Sequence, residues 1–313
     1  TIEECLEYCR LHKLVACIPI LEAISEHSSL SKLYTSYILN LANNIHDKDV
    51  GVNELFQPYW ARELQPWAVH PRINLAGTQT GRASASEPPI HGMPKKSAVK
   101  RLFKPRWRDW GGCHLQLDLS QAEVRVLACK AMADDEALKA ALRSGQDFHK
   151  YVASIIFNIP VESVTPDQRQ LCKSVNFAVL YGAQAARVAA QTGITEKAAE
   201  AFIAKYMATL PGVKKFQESQ HRRSLIEGCC WSAFGRRRLL SSDVFSQSEI
   251  ERRSVNTPIQ STASDITLTS YTRSYNRIKE YGMRSLSYLF VHDSLGFDVY
   301  PGEFFDLYEI LHH

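Results

Sequence analysis

No apolar run in the 313-residue sequence approaches the roughly 20 residues that a bilayer-spanning helix needs, and the opening Thr1-Ile2-Glu3-Glu4 lacks the basic and apolar regions of a secretory signal. A soluble, cytoplasmic protein without a membrane partner is the expectation. The eight cysteines include no C-x-x-C pair with partner ligands at zinc spacing, and Cys229-Cys230 are neighbours, which suits neither a metal site nor an ordinary disulfide framework. A reducing compartment fits them. Internal repeats and low-complexity segments are absent, which excludes a repeat array. Charge of one sign is scarce as well: 37 Lys and Arg face 33 Asp and Glu, so nucleic acid is a fitting partner only if the cations cluster on one face. There is no initiating Met, and Phe305 to His313 reads as an unfinished helix, so both ends read as cuts in a longer chain.

What is present is length enough for two or three subdomains, since single cores stop growing at roughly 250–300 residues. Residues 1–46 carry apolar positions at helical spacing (Leu6, Cys9, Leu14, then Leu33, Tyr37, Leu41), with His27-Ser28-Ser29 as the break between helices. From 47 to 112 periodicity weakens and Pro, Gly and Trp accumulate, which predicts loop and short strands. Leu115 to Asp118 reads as a strand, and Ser120-Gln121-Ala122-Glu123 has the form of a capping box opening a helix over Val124 to Met132. A helical block covers 136 to 228, with boundaries at Asn158-Ile159-Pro160, Gly193 and Pro211-Gly212. Then come a hairpin over Cys229 to Leu240 turning near Gly235, one or two helices over Glu249 to Lys279, and two apolar strands over Ser285 to Tyr300 around His292-Asp293-Ser294. Strands, an inserted helical lobe and a return to strands predict an α+β base interrupted by a helical subdomain.

Two carboxylates stand out. Asp118 ends an apolar strand and Asp293 lies between the apolar runs Tyr288 to Val291 and Leu295 to Phe297, so both are expected on a sheet with restricted hydration. Ionised carboxylates placed there want a counter-charge. A pair meeting at the tip of a sheet makes a Mg²⁺ site, because that ion takes one or two protein carboxylates plus substrate phosphate oxygens. Taken singly, Asp118 reads equally well as a turn residue and Asp293 as an ordinary hairpin-tip Asp.

Between them lies Arg169-x-x-x-Lys173-x-x-x-Phe177-x-x-x-Tyr181-Gly182. Steps of four on a helix put these four side chains on one slowly winding stripe. Like charges one turn apart weaken a helix by a few tenths of a kcal/mol unless an anion sits between them, and a triphosphate is a fitting anion. The aromatic pair offers flat faces for a base or sugar. In isolation the same helix also reads as a surface helix with a solvated basic end and an aromatic end in the core. The Arg236-Arg237-Arg238 run reads as a solvated hairpin edge.

Asp118-Leu119-Ser120-Gln121-Ala122-Glu123-Val124-Arg125 resembles motif A of family A DNA polymerases, the DNA polymerase I family. Arg169 to Gly182 resembles motif B and Val291-His292-Asp293 motif C, in the family's order. Thr80-Gly81-Arg82, Gly145-Gln146-Asp147-Phe148-His149, Phe234-Gly235-Arg236-Arg237-Arg238 and Asn256-Thr257-Pro258-Ile259-Gln260 are similar to further family landmarks, and Ser31 to Ile38 to its thumb sequence. Nearly the whole chain is covered. The resemblance implies a right-hand fold with an antiparallel-sheet palm (65–134 and 256–313), helical fingers (135–255) and a partial helical thumb (1–64).

It also implies template-directed DNA synthesis, in replication or repair, on primer-template DNA and dNTPs by two-metal-ion catalysis with Mg²⁺, for which Mn²⁺ can substitute. By resemblance, Asp118, Asp293 and the backbone carbonyl of Leu119 would hold the metals. Arg169, Lys173 and His149 would hold the triphosphate, with Lys173 also giving a proton to departing pyrophosphate. Gln121, Glu123, Phe177 and Tyr181 would complete the nucleotide site, Glu123 and Phe177 favouring deoxyribose. Arg82, Asn256, Gln260 and His292 would contact template or primer.

Departures accompany the matches. Ser294 stands where the family usually has Glu, leaving two firm metal carboxylates. His91-Gly92 replaces a Gln-Asn pair, and Leu119 replaces the usual motif A aromatic, which points to a phage or otherwise divergent branch in a bacterial setting. No exonuclease signature of clustered acids precedes the thumb-like start, so proofreading is not expected of this chain. Two alternatives stay open: a single-subunit RNA polymerase, and a catalytically idle DNA-binding relative.

Overall fold

The computed structural model describes residues 17–39, 45–46, 68–69, 71–93, 100, 103–144 and 147–312, together with Leu6 and Arg10. Helix α1 (Ile18–Leu33) runs on into a π-helical turn over Tyr34–Leu39. It passes without interruption through His27-Ser28-Ser29, where a break was expected. Serine is a middling helix former, and with no Gly or Pro between Ile20 and Leu33 nothing stops propagation. Strand β1 (Ile45–His46) lies in the segment expected to be helical and pairs antiparallel with β2 (Ala68–Val69); β2 and the antiparallel pair β3 (Arg72–Asn74) and β4 (Ser84–Ser86) are short strands of the kind expected in the Pro- and Trp-rich stretch. The remainder of 47–112 lies partly outside the described residues.

Strand β5 (Cys113–Asp118) is positioned by a close approach. A Cβ on Gly112 would stand 2.6 Å from the Cβ of Trp107 and 2.8 Å from the Val299 carbonyl, so only glycine lets the fully buried indole pack there. The helical block follows as α2 (Ala122–Ala128), α3 (Glu136–Arg143), α4 (Phe148–Phe157), α5 (Pro166–Leu180), α6 (Ala185–Thr192), α7 (Glu196–Thr209) and α8 (Pro211–Glu227). Its boundaries fall where the sequence punctuates: Asn158 ends α4 and Gly193 ends α6 in the left-handed conformation, and Pro211 opens α8. Helix α2 is shorter than expected, because Cys129 turns extended and the Ala133 amide folds back onto the Leu127 carbonyl at 3.0 Å.

One buried carboxylate organises this block. Asp135 accepts from the Leu138 amide at 2.9 Å, capping α3, and from the Gly212 and Val213 amides at 2.8 and 3.3 Å, at the start of α8. Two sets of orphan helix donors thus share one side chain.

The hairpin β6 (Cys229–Trp231) and β7 (Arg237–Leu239) leads into α9 (Gln247–Glu280), a single 34-residue helix. It opens on a capping box of Ser246 and Glu249 and contains Pro258 in its interior. Strands β8 (Leu286–Val291) and β9 (Ser294–Val299) and helix α10 (Phe304–His312) complete the described chain.

The main sheet has the order β5-β9-β8, antiparallel throughout. Central β9 is buried at every position. Its Leu295, Phe297 and Val299 meet Ile278 of α9 and Leu307 of α10 in one core, whereas Val255 and Ile259 of α9 join α2, α5, α7 and α8 in another. Full burial of each such side chain contributes about 1.5–3 kcal/mol, so α9 is anchored at both ends. Among the described residues no helix is long and apolar enough to cross a membrane, and the described cysteines are free thiols.

Candidate active site

Asp118 pairs with Ser294 across β5 and β9, and Val291 with the same Ser294 across β8 and β9, so His292 and Asp293 form a two-residue turn beside the end of β5. The Leu119 amide donates to the Asp293 carbonyl at 2.9 Å, which fastens the two carboxylate-bearing segments together. His292 holds φ at +57°, a left-handed conformation uncommon outside glycine. Both Asp118 and Asp293 are exposed, not held in restricted hydration as expected. A strand end and a hairpin tip project past the core that buries the rest of β9.

Among the described residues no group of three or more His, Cys, Asp or Glu gathers, so the acidic donors stand as a pair. The Leu119 carbonyl accepts from the Ala122 amide at 3.2 Å and keeps a second lone pair. Two exposed carboxylates and one carbonyl suit Mg²⁺, which completes its shell with water and phosphate oxygens. Ser294 is buried and takes a 2.7 Å hydrogen bond from the Gln116 side-chain amide. Gln116 lies two residues from Asp118 on β5 and shares its face.

Glu123 does not cap α2. The N-cap is Gln121, left-handed at φ 52° and without a side-chain cap bond. Glu123 instead receives a close hydrogen bond and ion pair from Arg82, because a charge partner outweighs a cap on a side chain this sheltered. Burial pushes the Glu123 carboxyl above the ordinary Glu range; Arg82 pulls against that, and the charge of Asp293 adds to the rise. Glu123 therefore sits within electrostatic reach of Asp293. The Gln121 side-chain oxygen is buried without a hydrogen-bond partner.

On α5, Lys173 is exposed, and Arg169 is held by Asp147 in a close ion pair. Asp147 also caps α4 through the His149 and Lys150 amides at 3.0 and 3.2 Å. Burial raises its pKa, but the Arg169 hydrogen bond and charge and the two amides prevail and leave its carboxyl below the usual range. Asp147 thus supplies part of the anion that the basic stripe demands. His149 is buried, its Nδ1 3.2 Å from the Asn176 side-chain amide. Burial lowers its pKa; Asp147 opposes that, while Arg169 and Lys173 reinforce it. Tyr181 is half-buried against the larger core. The last carbonyls of α5, Val179 and Leu180, accept from the Gln217 amide at 3.0 and 2.9 Å, which fixes the helix end just before Tyr181. Phe177 lies on α5, its side chain outside the described residues.

The sequence profile of DNA polymerase family A matches residues 3–313. The chain belongs to DNA polymerase family A. It is 35% identical over 294 residues to the thermostable DNA polymerase I of Thermus filiformis, covering 92% of this chain and 33% of that protein. To the DNA polymerase I of Geobacillus stearothermophilus it is 33% identical over 293 residues, 91% of this chain and 31% of that protein. The chain thus spans about a third of the length of these relatives. Among solved structures, the POL domain of Pol1 from M. smegmatis in complex with DNA primer-template and dNTP matches with a TM-score of 0.79 and 26% identity, over 94% of this chain and 49% of that one. The right-hand fold of family A is therefore the fold of this chain.

The remaining family A landmarks are distributed around the Asp pair. Asn256 and Gln260 lie one turn apart on α9, flanking Pro258, and the Asn256 side-chain oxygen is buried without a hydrogen-bond partner. His292 faces His91 with ring centroids 6.2 Å apart. Arg236 and Arg237 of the Arg236-Arg237-Arg238 run are exposed, as expected of a hairpin edge, yet all three arginines have partners. Arg236 pairs with Asp265 at 2.6 Å, Arg238 donates to Thr257 at 2.7 Å, and Arg237 lies over the Trp231 ring. Alternation along β7 sends the first and third arginines toward α9 and the second to the other face. Sequence reasoning missed Asp147, Gln217 and Gln116 as partners of the site. For Asp147 the signal was an Asp directly before a helix; the other two carried none.

Proposed function

We propose that this chain carries out template-directed DNA synthesis, adding dNTPs to a primer 3′-hydroxyl with release of pyrophosphate. The observation that carries the reading is the backbone bond from Leu119 to Asp293, which brings two exposed carboxylates to one point of the sheet from segments far apart in the chain. Asp118, Asp293 and the Leu119 carbonyl would hold Mg²⁺, which when bound would activate the hydroxyl and offset charge on the phosphates. Lys173, exposed on α5, meets the triphosphate and gives a proton to departing pyrophosphate. Arg169 and His149 complete the phosphate site, with Arg169 oriented by Asp147. Gln121 and Glu123 border the sugar, and Phe177 and Tyr181 the base. Arg82, Asn256, Gln260 and His292 face the primer-template. The palm takes in 65–134 and 256–313, the fingers 135–255 and a partial thumb 1–64. Descent beside bacterial DNA polymerases I carries a cytoplasmic setting with it.

The test is primer extension by the purified chain with Mg²⁺. One-nucleotide additions of dNTP are expected, and loss of extension without loss of primer-template binding in Asp118→Ala and Asp293→Ala. A preference for rNTPs would replace the reading with RNA synthesis, and binding without extension would make the chain an idle relative.

A further inference from the structure

The α5 helix carries a polar residue in the middle of its apolar run, Val175-Asn176-Phe177-Ala178-Val179-Leu180, and that residue is only 1% exposed. A buried amide must be partnered on both sides, because each orphaned group costs about 1–3 kcal/mol. Asn176 has two partners. The Tyr206 hydroxyl of α7 donates to its oxygen in a close hydrogen bond, and its nitrogen stands 3.2 Å from the His149 Nδ1. All three side chains are nearly inaccessible, His149 at 4% and Tyr206 at 1% exposure.

This chain of bonds has a direction. Burial raises the Tyr206 pKa well above its ordinary value, with the charge of Asp135 adding to the rise, so the phenol keeps its proton. Among the described residues that proton has one acceptor, the Asn176 oxygen. The amide nitrogen must then face His149, and a nitrogen that receives an N–H cannot itself carry one. We infer that Tyr206 and Asn176 are positioning residues that lock His149 as the Nε2–H tautomer, so that it serves as a neutral hydrogen-bond donor to the nucleotide's phosphates. The locked ring lies within electrostatic reach of Arg169 and Lys173, whose charges together with burial keep it from becoming a cation, against the opposing pull of Asp147. The phosphate site then combines two fixed cations with one neutral donor whose proton cannot migrate to the other nitrogen. The inference rests on the proposed phosphate role of His149, and the tautomer itself does not.

Tyr206→Phe removes the hydroxyl and keeps the ring, which stacks on Phe202 at 5.7 Å, so the fold survives the test. Nitrogen-15 spectra of the His149 imidazole in the parent protein should show a single Nε2–H tautomer, and in Tyr206→Phe a mixture. In the same variant KM for dNTP should rise about three- to tenfold, the range of one hydrogen bond, with kcat and primer-template affinity nearly unchanged. Asn176→Ala should reproduce both changes. A parent spectrum of the Nδ1–H form, or a Tyr206→Phe protein with the parent's spectrum and KM, overturns the inference. If the tautomer is as stated but His149→Ala leaves KM for dNTP unchanged, the phosphate role of His149 fails, and the purpose assigned to the lock fails with it.

Discussion

Leu119 donates its amide to the carbonyl of Asp293, so the backbones that carry Asp118 and Asp293 cannot slide past each other. The pair is held at fixed separation by main chain, and side-chain length alone decides where the oxygens fall. Asp118→Glu keeps the charge and adds one methylene on a backbone that cannot retreat. Misplacement of about 1 Å costs on the order of a hundredfold, so a loss of at least that size in kcat is expected with primer-template affinity retained. Single-turnover extension beside a fluorescence anisotropy titration measures both.

Ser294 is buried against the Gln116 amide and stands opposite Asp118 in the ladder. Ser294→Glu would bring a third carboxylate to a sheltered position facing another, and like charges directly opposite destabilise a sheet. In metal-free buffer a stability loss of about 1–3 kcal/mol is expected, with Mg²⁺ restoring part of it. Thermal melts of parent and variant with and without Mg²⁺ decide. An equal response of both proteins to the ion would refute the placement.

Glu123 gives a stability that depends on pH. Its carboxyl is raised in the folded protein, so the folded state binds a proton that the unfolded chain has already released. The contribution is complete below the ordinary Glu value and is lost as pH rises through the higher folded one. Glu123→Gln should therefore flatten the fall in melting temperature across that window when metal is chelated. Glu123→Ala should in addition raise rNTP use relative to dNTP, by tens of fold or more if the carboxylate excludes a 2′-hydroxyl. Paired single-nucleotide insertions measure the ratio, and an unaltered ratio would end the assignment of Glu123 as a sugar gate.

Asp135 serves two helices, and its removal should cost more than the loss of one cap. With each cap contributing about 0.5–2 kcal/mol, Asp135→Ala should destabilise by about 2–3 kcal/mol in urea unfolding, and Asp135→Asn by less. A loss below that of a single-helix cap such as Thr195→Ala would show that the carboxylate does not join α3 to α8.

Local punctuation was readable in advance. Asn158, Gly193 and Pro211 mark helix ends because the backbone itself demands those residues there, and the hairpin around His292-Asp293 follows from two apolar runs with a polar pair between them. Long-range partnership was not readable. The Ser-x-x-Glu pattern occurs at Ser120 and at Ser246, but only the second caps a helix, since Glu123 meets Arg82 from 41 residues away. Arg169 finds Asp147, and Arg236 finds Asp265, through packing that no window of sequence displays. Asp118 and Asp293 could be singled out from pattern, yet their exposure depends on how far the sheet tip clears the core.

The order of strands also sets when the two carboxylates meet. Gln116 and Ser294 touch across 178 residues of sequence, so β5 waits beside the exit of the ribosome while the whole helical insertion is made. Helices with local contacts form early, and distant strand pairing forms late. Until β9 arrives, Asp118 is a lone acid on an unpaired edge, with the helical block made before the sheet tip is complete. The pairing of Asp118 with its partner segment thus comes late in the synthesis of the described chain.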